Sequence, residues 1–371
     1  MRCLMRLCAC LLLAARSVLA AAPEPAPTPA PVQKFAPVEP LPPGQSLSMS
    51  ASFGAHPDFH TEWWYATGWL KTADGKPLGF QVTFFRSATG LDAANPSAFA
   101  PKQLIIGHAA LSDPAEGRLL HDQKSARQGF GLAYAKVGDT DVRLDDWTMR
   151  RQADGSYQVN VTARDFSLAL RLVPTEAVML QGEGGYSRKG PHPAQASYYY
   201  SQPQLKTSGS IARRGGRIDT VTGAAWLDHE WSSQALDPDA SGWDWTGANL
   251  DDGGALMAFQ IRSKTGAKLW AHASLREASG KLTQYAPEQV NFAAQAHWRS
   301  PRTGIEYPVA TTLTTGTTVW QIKPLQQDQE LDSRGSTGAV YWEGAVTISR
   351  DGIAAGRAYL ELTGYDKPMK L

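Results

Sequence analysis

From about residue 50 onward, short apolar or β-branched stretches alternate with Gly- and Pro-rich breaks. SYQVNVTA (156–163), FSLALRLV (166–173), TVWQIKPL (318–325) and YWEGAVTI (341–348) alternate apolar with polar positions or gather β-branched residues, as half-buried strands do. GWDWTGANL (242–250), DDGG and ALMAFQIR (255–262) read as strand, tight turn, strand. No long stretch keeps a helical period, because Gly and Pro interrupt too often. The pattern predicts an all-β protein of antiparallel strands, built as a closed or nearly closed barrel or as a sandwich. A closed barrel of about eight strands can hold one small apolar ligand.

The pattern also repeats. GFQVTFFRSATG (79–90) aligns without gaps on ALMAFQIRSKTG (255–266). Trp64-x-x-Thr67-Gly68 matches Trp243-x-x-Thr246-Gly247, and Glu62-Trp63 matches Glu230-Trp231 if the second half carries an insertion, Ser232 to Gly242. His108-Ala109-x-Leu111 matches His272-Ala273-x-Leu275, and Gly155, Tyr157, Val159 and Pro174 match Gly304, Tyr307, Val309 and Pro324. Their shared order predicts a duplicated domain of about 150 residues, within the usual size range. The expected halves are 50–212 and 213–371.

The N-terminus has a different character. Arg2 and Arg6 precede an apolar run from Leu7 to Ala15, and small residues follow at Val18, Ala20, Ala21 and Ala22. That is the order of a secretory signal, expected over 1–22, so the protein is expected in the periplasm or outside the cell. All three cysteines, Cys3, Cys8 and Cys10, fall inside it. A mature chain without them has no disulfide, thiolate metal site or cysteine nucleophile. Leu7-Cys8-Ala9-Cys10 resembles a lipoprotein box, but it precedes most of the apolar run it should follow. Residues 23–49 are Pro- and Ala-rich and are expected to form an extended linker. The run is too short for a membrane span, and no later segment approaches the roughly 20 residues required. With Arg2, Arg6 and Arg16 removed, 33 of the 36 Lys and Arg face 35 Asp and Glu. No basic stripe appears, which argues against a nucleic-acid partner.

The densest cluster of chemistry-bearing residues is AWLDHEWSSQ, 225–234. In a strand, Asp228 and Glu230 share one face, and His229 lies on the other with Leu227 and Trp231. One metal held by all three is disfavoured. A helical HExxH zinc site is also excluded, because Ser233 stands four residues after His229. Neither metal nor cofactor is expected. Two carboxylates about 6–7 Å apart along a strand can push each other's pKa apart, leaving one protonated as a general acid. The other reading is a buried hydrogen-bond network that orients a loop. Glu62, in His60-Thr61-Glu62-Trp63-Trp64-Tyr65, reads as an acid tying down a first strand, and His108 and His272 read as buried and hydrogen-bonded. Among the 12 tryptophans, Trp243 and Trp245 share a strand face, with Asp244 opposite. They read as core filling or as a pocket whose ring faces stabilise a cation. The sequence has no Gly-x-Ser-x-Gly elbow, Walker loop or dinucleotide fingerprint.

Taken together, these residues resemble the secreted AttH-like proteins related to bacterial carotenoid 1,2-hydratase (hydroxyneurosporene synthase). The likeness rests on His60-x-Glu62-Trp63-Trp64-Tyr65, on Trp226-Leu227-Asp228-His229-Glu230-Trp231-Ser232, on Gly242-Trp243-Asp244-Trp245 and on Ala358-Tyr359-Leu360-Glu361-Leu362-Thr363-Gly364-Tyr365. It covers the chain from about residue 50. It implies two tandem lipocalin-like antiparallel β-barrels. It also implies a chemistry, addition of water to an isolated alkene, which needs a strong acid and a means of holding a tertiary cation. By resemblance the motif positions are His229 and Trp231, with an acid on the strand after the double-Trp strand. Here that position is best matched by Gln260, and an amide cannot protonate an alkene. Candidate catalytic residues are therefore Asp228, His229 and Glu230. Trp231, Trp243, Asp244, Trp245, Gln260, Glu62 and Trp64 are candidate substrate contacts. Two function classes follow: an enzyme, hydro-lyase or hydrolase, acting on an isoprenoid- or lipid-like molecule, or a non-catalytic periplasmic carrier or chaperone of such a hydrophobic ligand. No export partner is identified by sequence.

Overall fold

The computed structural model describes residues 34–369 apart from 92, 93, 217 and 235. The expected signal, 1–22, and the linker up to residue 33 lie outside the described residues. Regular structure is β except for one helical turn at Met49–Ser52 and one at Pro287–Gln289. A first sheet contains β1 (Thr61–Thr72), β2 (Pro77–Ala88), β3 (Gln103–Ser112), β4 (Leu119–Arg127), β5 (Ala133–Ala135), β6 (Asp141–Leu144), β7 (Trp147–Arg151), β8 (Tyr157–Thr162), β9 (Phe166–Val173), β10 (Met179–Leu180), β11 (Tyr186–Arg188), β12 (Ala196–Arg213) and β13 (Ile218–Gln234). A second contains β14 (Ala240–Leu250), β15 (Ala255–Ser263), β16 (Lys268–Arg276), β17 (Leu282–Tyr285), β18 (Val290–Arg299), β19 (Glu306–Thr315), β20 (Thr318–Pro324), β21 (Glu330–Asp332), β22 (Val340–Arg350) and β23 (Ile353–Leu362). Each sheet curls on itself: β3 and β4 come to lie against β6, and β15 and β16 against β18. The protein is two tandem antiparallel barrels.

The duplication is visible in strand order. The first sheet runs β4-β3-β2-β1-β13-β12-β9-β8-β7 before continuing to β6 and β5, and the second runs β17-β16-β15-β14-β23-β22-β20-β19-β18. In each, the first strand pairs with the last. This corrects the expected boundary at 212/213, which falls in the hairpin joining β12 to β13 (Ala212 pairs with Ile218). β13 closes the first barrel against β1, so the second sheet starts only at Ala240. Glu62-Trp63 and Glu230-Trp231 are thus not repeats of one another but cross-strand neighbours. The true counterpart of β13 is β23: Tyr65 lies opposite Asp228 as Trp245 lies opposite Glu361. By the same register Arg86 corresponds to Arg262 (opposite Glu62 and Gly242), His108 to His272, and Thr67 to Gly247 rather than Thr246.

Three apolar cores follow from alternation. Trp64, Ala66, Leu70 and Leu227 point into the first barrel, and Ala248, Leu256, Leu360 and Trp342 into the second. The opposite faces of β1, β13, β14 and β15 would meet solvent in an isolated barrel. Here they meet each other, and Tyr65, Trp69, Trp226, Trp245, Met257 and Phe259 form a third core. The join is pinned by polar contacts. Trp69 Nε1 donates to Ala358 O (2.9 Å), Asn249 Nδ2 to Ala225 O (3.0 Å), and Ser112 Oγ to Gln329 Oε1 (2.6 Å). Gly79 is where the barrels approach closely, since a Cβ there would lie 2.5 Å from the Ala345 Cβ. The later part of the expected linker docks rather than swings free: Val38 is buried against Tyr186 and Ala196, and Ala36 N donates to Asp58 O.

Candidate functional site

The third core is not completely filled. Between the barrels lies a cavity of about 100 Å³, lined by Trp63 and Tyr65 of β1, Thr83 and Phe85 of β2, Tyr199 of β12, and Asp228 and Glu230 of β13. The second barrel contributes Trp243 and Trp245 of β14, Phe259 and Ile261 of β15, Tyr341 and Glu343 of β22, and Glu361 of β23. Lys189 and Leu236 complete the wall. The walls are duplicates of one another. Trp63 pairs with Trp243 in the repeat, Tyr65 with Trp245, Tyr199 with Tyr341, Asp228 with Glu361, and Ser201 with Glu343, each occupying the same register on the same strand. The cavity is therefore lined by corresponding positions of the two halves.

Its acids differ in their support. Asp228 is 3% exposed. Its Oδ1 accepts from Ser201 Oγ (2.6 Å) and Trp226 Nε1 (2.7 Å), and its Oδ2 from the Tyr199 hydroxyl (2.7 Å). Burial nonetheless pushes its pKa up to about 7, against those three donors and with help from the Glu230 charge. Glu361 is pushed up to about 8, by burial first, opposed by the indole of Trp243 (3.1 Å) and reinforced by Asp228 and Glu230. Glu343, directly across from Glu361 on the neighbouring strand, is raised well above the carboxylate range by burial and by Glu361. The hydroxyls of Tyr65 and Tyr341 stand near it, but neither of its oxygens makes a well-formed hydrogen bond. Glu230 is the neutralised acid: Lys189 Nζ lies 2.8 Å from its Oε1, which also accepts from Ser197 Oγ at 2.5 Å. Lys189 in turn lies over the rings of Tyr199 and Phe259.

His229, Glu62, Trp64 and Trp231 form a separate cluster on the other face of β1 and β13, as strand alternation requires. Glu62 is fully buried. Its Oε1 meets His56 Nδ1 (2.7 Å) and His229 Nε2 (2.9 Å), and its Oε2 accepts from Arg86 Nε (2.8 Å) and the His56 backbone N (2.9 Å). Burial alone would raise its pKa, but the hydrogen bonds and charges of the two histidines outweigh burial and lower it. The Arg86 guanidinium acts in the same direction. His229 is pushed down to about 4 by burial, against Glu62, and packs on the Trp64 indole, while Trp231 stacks on His56. His56, Glu62 and His229 offer atoms within 4.8 Å of one another, a spacing a metal would accept. Glu62 Oε2 is committed to the Arg86 guanidinium and the His56 backbone N–H, and Oε1 bridges the two imidazoles, which links the cluster into one hydrogen-bonded network. Asp244 and Gln260 make the corresponding cluster in the second barrel. Asp244 accepts from Arg262 Nε (3.0 Å) and from the Tyr365 hydroxyl (2.9 Å), and burial raises its pKa.

Of the residues singled out by sequence, Asp228, Glu230, Trp243 and Trp245 come together at the cavity, whereas His229, Trp231, Glu62, Trp64, Asp244 and Gln260 point away from it. The strand after the double-Trp strand offers the cavity Phe259 and Ile261, not an acid; the acids arrive on β13, β22 and β23. Glu343, Glu361, Lys189, Tyr199 and Tyr341 were not foreseen. The available signal was a lone carboxylate inside each of two apolar strands, YWEGAVTI and AYLELTG.

Residues 40–365 match the family described as AttH-like, and the chain belongs to that family. No curated protein matches it in sequence. A crystal structure of an AttH candidate from Nitrosomonas europaea is 60% identical, covers 89% of this chain and 100% of its own, and superposes with a TM-score of 0.83. Kievitone hydratase from Nectria haematococca shares the fold at 14% identity, with a TM-score of 0.67 over 91% of this chain and 98% of its own. CghA, solved with Sch210972, shares it at 13% identity, with a TM-score of 0.51 over 91% of this chain and 96% of its own.

Proposed function

We propose that this AttH-like protein is a hydratase-type enzyme that adds water to an alkene of an apolar, isoprenoid- or lipid-like molecule in the cavity between its barrels, working after export from the cytoplasm. The observation that carries this reading is Asp228: a buried acid that keeps its proton near neutral pH, faces an aromatic cavity, and has three donors ready for its conjugate base. Protonating an isolated alkene is slow because the acid must give up its proton to carbon. Donors already aimed at the developing carboxylate lower that barrier without reorganisation. Glu361 has one such donor, which makes Asp228 the better acid.

The step balances as follows. The alkene π electrons take the Asp228 proton and form a C–H bond, leaving a tertiary cation. The ring faces of the surrounding tryptophans and tyrosines, together with the new carboxylate, stabilise that cation. Water forms the C–O bond, and its surplus proton returns to the carboxylate. Family resemblance to carotenoid 1,2-hydratase and a fold shared with kievitone hydratase support the same class. The carrier reading predicts binding without turnover. The test is incubation of the protein with acyclic isoprenoids of increasing length in ¹⁸O-labelled water, read by mass spectrometry. Uptake of one labelled water, lost in Asp228→Asn, is the expected result. Tight binding with no labelled product in any member of the series would replace the enzyme by the carrier.

A further inference from the structure

Glu343 is the least explained group in the cavity. It is 1% exposed, and although the Tyr65 and Tyr341 hydroxyls stand beside it, neither carboxylate oxygen makes a well-formed hydrogen bond. A buried acid is normally satisfied by donors or by a cation. Glu343 instead faces a second cavity acid, the part-buried Glu361, directly across the β22–β23 pair, where two ionised side chains would repel each other. Among the described residues the wall has one cation, Lys189, and its ion pair is with Glu230. No Lys, Arg or His among those residues forms an ion pair with Asp228, Glu343 or Glu361. The rest of the wall is largely indole, phenol and phenyl faces. A carboxyl pair without a cation, one member of it without a well-formed hydrogen bond, inside an aromatic box is what a desolvated positive charge requires.

We propose that this cavity recognises a cationic centre on an otherwise apolar ligand, a lipophilic tertiary amine or ammonium, held by the Glu343–Glu361 pair and the surrounding aromatic faces. The inference deepens the hydration reading, because an alkylated ammonium carries the same charge as a tertiary carbocation at a similarly substituted centre, but its test needs no turnover. With the cavity empty, the pair retains protons; a cation placed between them lets both ionise. Ligand binding and proton release are therefore linked. The groups facing the pair are Asp228 and Glu230 on β13, Lys189 after β11, Tyr65 on β1, Tyr199 on β12, Tyr341 on β22 and Tyr359 on β23. The four tyrosines stay neutral through the alkaline range, since burial raises each of them. Behind Tyr341, His108 Nδ1 lies 2.7 Å from its hydroxyl, and burial keeps that imidazole neutral. The protons released then come from the carboxyls.

The experiment is calorimetric titration of the whole protein with octyldimethylamine and with the tertiary alcohol of the same chain length, in buffers of different ionisation enthalpy. The amine is expected to bind at least about tenfold tighter than the alcohol. It should release protons near neutral pH, and the part contributed by Glu361 should fade above about pH 9, once that carboxyl is already ionised. Glu343→Gln and Glu361→Gln are each expected to remove the preference. Equal binding of amine and alcohol, no binding of the amine, or a preference unaltered in both variants would overturn the proposal. Should a variant not fold, the proton release of the unaltered protein decides alone: none near neutral pH overturns it. Amine preference without hydration of any isoprenoid would defeat the enzymatic reading only, and hydration without amine preference this one only.

Discussion

Replacing Asp228 by Asn separates chemistry from stability, because the two effects carry different pH signatures. The side chain is buried and accepts three hydrogen bonds. An amide keeps Oδ1 for Ser201 and Trp226, but it presents N–H toward Tyr199, whose oxygen already accepts from Trp245 Nε1 at 3.1 Å. One mismatched buried hydrogen bond costs about 1–3 kcal/mol. Against this stands the cost of ionising the native acid. A carboxyl whose pKa rises from 3.8 unfolded to about 7 folded binds its proton more tightly in the native state. Its contribution is fully present below about pH 4 and is lost as pH rises through about 7, up to about 4 kcal/mol in all. Asn has no such loss. Asp228→Asn should therefore be less stable than the native protein at about pH 4 and as stable or more so at about pH 8, while turnover falls by on the order of 10²-fold or more at both. Urea melts of the two proteins at both pH values measure it. The difference between proteins cancels the buried histidines, which titrate in both. A stability difference that does not change between the two pH values would refute the assignment of Asp228 as a proton-retaining acid.

Glu62→Gln should cost about 3–5 kcal/mol at neutral pH, since it leaves the buried Arg86 guanidinium without its carboxylate; a denaturant melt checks it, and a loss below about 1 kcal/mol would mean the ion network is not structural. Trp243→Phe keeps an apolar wall but deletes the donor to Glu361, so the Glu361 carboxyl should titrate still higher than about 8 in a carbon-13 NMR titration. Gly79→Ala forces a methyl against Ala345 across the barrel join and should destabilise by about 1–3 kcal/mol in a thermal melt. N-terminal sequencing of exported protein should find a start between Ala20 and Pro23; a start at a lipidated Cys10 would overturn the signal assignment.

The sequence by itself determined the fold class, the duplication, and which side chains share a strand face. Strand alternation alone put Asp228 with Glu230 and set His229 apart, and the structure keeps that separation. Tertiary structure decided what each face meets. The Trp-x-x-Thr-Gly match is one residue out of register, and in a period-two element one residue reverses every side chain. The similarity of Glu62-Trp63 to Glu230-Trp231 suggested a repeat, whereas the chain uses the two segments as paired neighbours. Most decisive is the burial of β1 and β13 on both faces. A single barrel would turn Tyr65, Asp228 and Glu230 to water; the second barrel covers them and adds Glu343 and Glu361 from more than a hundred residues away. Local pattern reports the period of a strand. It carries no information about the long-range pairing that removes a carboxylate from water, and it is that removal which raises the pKa of the cavity's acids.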